Sequence, residues 1–279
     1  MDISLLGPFR TAHSGVHMHL TAVKPRKVFA LLAVHADEAV SVATLVEEVW
    51  GENPPRSVQT TLQTYILQIR HLIASALGEQ YTGLPSGAKS VLVTESGGYR
   101  LDSHGGVVDV REFEALASAG HRTLEQGDWA AASDYLGRAL ALWKGRALAD
   151  VQCGALLEVE ATRLEESRMS VLHRRIEADL RLGRHYELVG ELSGLAARHQ
   201  LHEGLHEQLM LALYRAGRRS DALGIYHQLR AALSRTLGLD PSPGIDHLYR
   251  ALLDSSPQLD VDPLVAAGVA GSPLLARAN

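Results

Sequence analysis

The apolar positions change period several times along the chain, and each change marks an element. "DISLLGPFR" (Asp2–Arg10) reads as a short apolar strand ended by Gly7 and Pro8. "VHMHLTA" alternates Val16, Met18 and Leu20 on one side, the spacing of a half-buried strand. From Lys24 the period becomes helical: "KPRKVFALLAVHA" puts Pro25 at a helix start and Val28, Phe29, Leu31 and Leu32 on a core stripe. "SVATLVEEVWG" predicts a second helix, with Ser41 as N-cap, Leu45, Val46, Val49 and Trp50 inward and Gly51 as stop. In "NPPRSVQTTLQTYILQIRHLIASALG" (Asn53–Gly78), Val58, Leu62, Ile66, Ile69 and Ile73 follow 4, 4, 3, 4 spacing, which predicts a long helix with one core face, capped by Asn53 or Ser57. "TGLPSGAKS" reads as a turn-rich link, and "VLVTESGGYRL" as two short strands joined around Ser96-Gly97-Gly98.

Beyond about Val107 the pattern is helical almost throughout, and it repeats. "GDWAAASDYLGRALAL" from Gly127, "GRHYELVGELSGLAA" from Gly183 and "GRRSDALGIYHQLRAAL" from Gly217 carry apolar residues at matching offsets: Ala132, Leu136, Ala139; Leu188, Leu192, Leu195; Ala222, Tyr226, Leu229. Gly183 to Gly217 is 34 residues, the tetratricopeptide period; Gly127 to Gly183 is 56, one period plus 22. "FEALASAGHRTLEQ" and "LHEQLMLALYRA" supply preceding helices of such pairs. The expected fold is therefore mainly α with a small β part. Residues 1–105 form a mixed domain, 106–255 an all-α tetratricopeptide-like domain, and 256–279 a disordered tail.

Charge sharpens this picture in one place. The chain has 32 Asp and Glu against 27 Lys and Arg, net −5, a global field that repels phosphate. Yet Asn53–Gly78 contains no acidic residue. A carboxylate beside a nucleic-acid backbone opposes the counterion release that drives binding, so its exclusion from one long helix points to a phosphate-rich partner. On that helix Gln63, Thr64 and Gln68, with Thr61 beside them, can bond base edges in a major groove. Arg56, Thr60, Arg70 and His71 can reach flanking phosphates. Lys24, Arg26 and Lys27 at the start of the first helix can clamp the backbone, and Arg100 in the hairpin can enter or rim the minor groove.

The residues also carry a family resemblance. "GGYRL" (Gly97–Leu101) after a strand is similar to the wing of the OmpR-type winged helix-turn-helix. "TLQTYILQIRHLI" is similar to its recognition helix, with Leu62, Ile66 and Ile69 at the buried positions. Such a winged helix fused to three helical repeats resembles the Streptomyces antibiotic regulatory protein family, whose second half is the bacterial transcriptional activation domain. The match runs from about Ile3 to Leu253. The resemblance implies a cytoplasmic activator of antibiotic or other secondary-metabolite genes that binds tandem promoter repeats in double-stranded DNA. It further implies a homodimer on DNA and recruitment of RNA polymerase holoenzyme. The chain departs from the OmpR-type pattern at Leu67 and Gln68, where an arginine is usual.

Other chemistries are weighed against this one. "HEGLH" (His202, Glu203, His206) matches the zinc-protease pattern HExxH, but Leu209 stands where the extended motif needs glycine, and His206 falls on a repeat packing position. No GxxxxGK[ST] phosphate loop occurs, and Cys153 has no adjacent basic residue, so neither an enzyme nor a cofactor is expected. No run approaches the 18 or so apolar residues of a membrane span, and the N-terminus lacks the basic start of a signal peptide. The alternative reading is a helical-repeat scaffold or sensor that binds a peptide or ligand.

Overall fold

Two small antiparallel sheets bracket the helices of the N-terminal part. The first is β1 (Asp2–Ser4), β2 (Arg10–His13) and β3 (Val16–Met18), in that order. Then follow α1 (Val23–Val34), β4 (Ala39–Ser41), α2 (Val42–Trp50), α3 (Val58–Ala76), α4 (Ser86–Val91), β5 (Leu92–Glu95) and β6 (Gly98–Leu101), with the strands ordered β4-β6-β5. The helical part contains α5 (Asp109–Glu125), α6 (Trp129–Ala141), α7 (Ala155–Arg181), α8 (His185–Arg198), α9 (Glu203–Arg215), α10 (Arg219–Leu237) and α11 (Pro243–Leu253). This computed structural model describes residues 1–13, 15–78 and 86–254; the tail expected at 256–279 and residues 82–85 of the turn-rich link lie outside them. The architecture is the mainly helical one expected, a winged helix followed by helical repeats.

The periodicity maps onto the core. Val28, Phe29, Leu31 and Leu32 of α1 are buried, as are Leu62, Ile66, Ile69 and Ile73 of α3, while Val58 is half-buried. Ser41 caps α2 by accepting the Thr44 N–H at 3.0 Å, and Gly51 ends it with φ 58°. Val46 and Trp50 are half-buried rather than core; Glu48 takes an interior place instead, 2% exposed. Ser57 occupies the N-cap position of α3 but makes no side-chain cap bond. In the hairpin Gly97 adopts φ 82°, and a Cβ on Gly98 would lie 2.2 Å from the Val40 carbonyl oxygen, so β6 can run beside β4 with glycine alone at that point. Ser86–Ser90, expected within a link, and Val91, expected to open a strand, form the helix α4.

The chain divides into two compact units, one made of Met1–Ala119 with Tyr135–Val171, the other of Gly120–Asp134 with the chain from Leu172 onward. Within the first unit, carboxylates fasten the winged helix to the start of the helical part. Asp109 accepts the Leu5 and Leu6 N–H groups at 2.9 and 3.1 Å. Asp150 accepts the Phe9 N–H at 2.7 Å and pairs with Arg26. Glu48 accepts the Gly154, Leu156 and Leu157 N–H groups at the start of α7. Gly154 fits there because a Cβ would lie 2.2 Å from the Glu48 backbone oxygen.

The second unit holds the three glycine turns. Gly127, Gly183 and Gly217 have φ of 78°, 78° and 76°, and the next N–H of each reaches back five residues, Asp128 to Thr123, Arg184 to Asp179 and Arg218 to Leu213, at 2.8–3.0 Å. The turns are thus the same device used three times. Of the nine repeat positions, Leu195 is half-buried and the others are buried.

Candidate nucleic-acid interface

The exposed face of α3 lies over its first half, from Gln59 to Gln68, and apart from Leu67 it is built from amides and hydroxyls. Thr60, Gln63, Thr64 and Gln68 are exposed, Thr61 and His71 half-buried. The buried stripe fixes this orientation, because Leu62, Ile66, Ile69 and Ile73 turn the intervening positions to solvent. The Thr61 hydroxyl donates to the Ser57 carbonyl and the Thr64 hydroxyl to the Thr60 carbonyl, both at 3.0 Å. Gln63 and Gln68 keep their amides free of hydrogen bonds among the described residues. Gln59, exposed one turn before Gln63, belongs to the same face; its i, i+4 spacing to Gln63 was the signal available in the sequence.

The basic candidates divide. Lys24 is exposed, with its ammonium 5.5 Å from the centre of the Trp50 ring, and Trp50 stacks on Tyr65 of α3 at 5.9 Å. That chain of contacts holds a cation beside α3. Arg56 is exposed just ahead of the helix. Lys27 is half-buried and donates to the Glu48 carbonyl at 3.3 Å. Arg26 does not join them. It is 8% exposed and donates to the Phe9 carbonyl, the Leu20 carbonyl and Asp150, so its charge is neutralised inside the first unit.

Two further basic candidates are bonded at the wing. Arg100 donates to Glu95 and, at 2.9 Å, to Asp102; these bonds, Glu95 first, strengthen its hold on its proton. One cation between two carboxylates braces the hairpin. Arg70 points from α3 to the hairpin: its guanidinium donates to the Leu92 carbonyl at 2.8 Å and to the Thr94 hydroxyl at 2.8 Å. Its work is to hold β5 against α3, fixing the angle between wing and helix.

The HEGLH segment is built for packing. His202 is the N-cap residue of α9 rather than part of the helix, and Glu203 accepts the Ser242 N–H at 2.8 Å. His206 is 6% exposed and bonded through Nδ1 to the His202 carbonyl at 3.0 Å. No group of three or more His, Cys, Asp or Glu among the described residues is arranged to hold a metal ion. His173 stacks on the His202 ring at 4.8 Å, and burial, followed by the neighbouring His202, pushes its pKa down; burial lowers that of His206 as well. Both folded values lie below the ordinary 6.5, so the unfolded chain takes up these protons first as the pH falls. Their contribution to stability is complete above pH 6.5 and is lost progressively below it. The melting temperature is expected to drop between about pH 7.5 and 5.5, and His173→Gln to reduce that drop; an unchanged profile would remove these histidines as its cause.

Comparison with known proteins agrees with this arrangement. Residues 17–101 match the family "Transcriptional regulatory protein, C terminal", and residues 108–253 the "Bacterial transcriptional activator domain". Regulatory protein DnrI of Streptomyces peucetius is 50% identical over 223 residues, 80% of this chain and 81% of DnrI. Transcriptional regulator RedD of Streptomyces coelicolor is 36% identical over 80% of this chain and 62% of its own length. Regulatory protein AfsR of the same species is also 36% identical, but the match spans 21% of AfsR. The solved structure of Mycobacterium tuberculosis EmbR in complex with a low affinity phosphopeptide superposes with a TM-score of 0.83 at 30% identity, covering 96% of this chain and 69% of that one. No helix among the described residues is long and apolar enough to cross a membrane. With a winged helix and an activator domain in this order, and half the aligned residues shared with DnrI, the chain belongs to the Streptomyces antibiotic regulatory protein family of transcriptional regulators.

Proposed function

We propose that this regulator binds double-stranded promoter DNA by laying the α3 face in the major groove, with the β5–β6 hairpin alongside as wing. Residues 1–105 carry the DNA reading and 106–255 the activation. Two copies sit on direct repeats about one helical turn apart, on one face of the duplex. The helical repeats then recruit RNA polymerase holoenzyme to antibiotic or similar biosynthetic genes. The observation that carries this reading is the acid-free, amide-rich face of α3 in a chain with an excess of acids. Such a face exposes donors and acceptors to base edges without repelling the phosphates.

The test is binding of the full chain to duplexes selected from a random-sequence pool, at several salt concentrations. Wild type is expected to bind with a falling log–log salt dependence, and Lys24→Ala/Lys27→Ala to lose about tenfold in affinity and part of the slope, with sequence preference kept. Salt-independent binding, or none at low salt, would overturn the reading.

A groove of about 530 Å³ between α8, α9 and α10, lined among others by Ser193, Gln200, His206, Gln228 and Arg235, favours a second reading in which the repeats hold a peptide or small ligand. DNA binding that fails while a ligand raises the melting temperature would favour it.

A further inference from the structure

Leu67 interrupts the polar face of α3. It is 37% exposed, and no other large apolar side chain of α3 is exposed. Its neighbours one turn away are Gln63 and Thr64, both exposed, and Arg70 and His71, both half-buried, with exposed Gln68 next to it, so it stands where the exposed polar face meets the part of α3 that carries Arg70. An exposed leucine in isolation asks for no explanation. One set beside exposed amides and hydroxyls, on a helix that excludes carboxylates and leaves no guanidinium group free, is a different matter. The arginine nearest to it in α3, Arg70, is committed to the Leu92 carbonyl and Thr94, and Arg56 lies ahead of the helix.

The major groove offers a partner of matching chemistry. Of the four bases, thymine alone presents a methyl group there, and apolar side chains read it by contact. Guanine is read chiefly by bidentate arginine or lysine, and neither is among the exposed residues Gln59 to Gln68. We infer that Leu67 is a specificity-determining residue that packs on the 5-methyl group of a thymine in each half-site, between bases bonded by the amides of Gln63 and Gln68. This rests on the reading of α3 given above. The contact is apolar and directional only through its position, so it selects thymine over cytosine at one base pair and adds little to non-specific affinity. The side chain is anchored on a helix whose opposite face is buried, which holds the methyl groups of Leu67 at fixed depth in the groove.

The test removes one methyl group at a time. In a duplex recovered by selection with the full chain, each thymine is replaced in turn by deoxyuracil, which leaves the pairing edge and the phosphates unchanged. At one thymine per half-site the replacement is expected to weaken wild type about fourfold, the worth of one buried carbon group. Leu67→Ala is expected to bind the thymine duplex more weakly by a similar factor and to make no distinction between thymine and deoxyuracil at that position. Leu67→Met should restore the distinction in part. A tight, salt-dependent complex indifferent to every deoxyuracil would overturn this inference alone. So would a sensitivity that persists unchanged in Leu67→Ala. Failure to select any duplex would overturn the DNA reading, and the inference with it.

Discussion

Glu48→Ala is expected to cost about 3–5 kcal/mol of folding stability, from three backbone donors that lose their acceptor. Glu48 is 2% exposed, and its carboxylate receives the N–H groups of Gly154, Leu156 and Leu157, the last two at 2.9 and 3.1 Å. These are amides at the start of α7, which the helix itself leaves without partners, and an anion there also meets the positive end of the helix dipole. Alanine opens a cavity beside them and supplies no acceptor. A loss of this size is a large part of the roughly 5–15 kcal/mol typical of a folded protein. Urea unfolding measures it as a lower midpoint at unchanged slope. Glu48→Gln, which keeps the volume and one acceptor oxygen, should fall between wild type and alanine. A loss below about 1 kcal/mol, that of a single ordinary hydrogen bond, would mean that the start of α7 finds other partners.

The same contacts bear on where the DNA-binding part ends. A fragment cut at residue 105 loses Asp109, Asp150 and the Gly154–Leu157 amides together. The Leu5, Leu6 and Phe9 N–H groups and the Glu48 carboxylate would then lack their partners, and the Arg26 guanidinium would keep the Phe9 and Leu20 carbonyls but lose its carboxylate. A fragment extending to Val171 keeps them all.

Much of the fold was legible because its signals are local. The buried stripe of α3 needs no partner to be recognised, nor does the Ser41 cap or the glycine that closes each repeat turn. Short elements were not. β2 and β4 have four and three residues, too few for a period, and each exists because a neighbouring strand offers a ladder. α4 contains Gly87 and Ser90, residues that read as a turn when taken alone.

The candidate site divides along the same line. Which residues of α3 face solvent follows from the helical period, and Gln63, Thr64 and Gln68 are where that period puts them. The fate of each arginine does not follow, because a charge is visible in the sequence while its partner is not. Arg26 meets Asp150 across 124 residues of chain. Arg70 meets a strand 22 residues away, and Arg100 is claimed by two acids within five residues of it. Leu67 was visible as a departure from the OmpR-type pattern, but its exposure beside Gln63, Thr64 and Gln68 came with the structure.

The second large effect concerns the acid-free face itself. Gln68→Ala removes an amide able to bond a base edge, worth about 1–3 kcal/mol per contact. Gln68→Glu has nearly the same shape but adds the one kind of group that the segment Asn53–Gly78 excludes. If this face lies in the major groove, the glutamate loses the same contact and in addition repels the phosphates on both sides. It also cannot donate to the adenine N7 that glutamine reaches. The defect should therefore exceed that of alanine by about tenfold or more at low salt and shrink toward it as salt screens the repulsion. The most direct measurement is the affinity of wild type, Gln68→Ala and Gln68→Glu for one selected duplex across a salt series. The expected order is wild type, alanine, glutamate, with a gap between the last two that closes at high salt. Equal affinities for alanine and glutamate at every salt concentration would place the duplex elsewhere and contradict it.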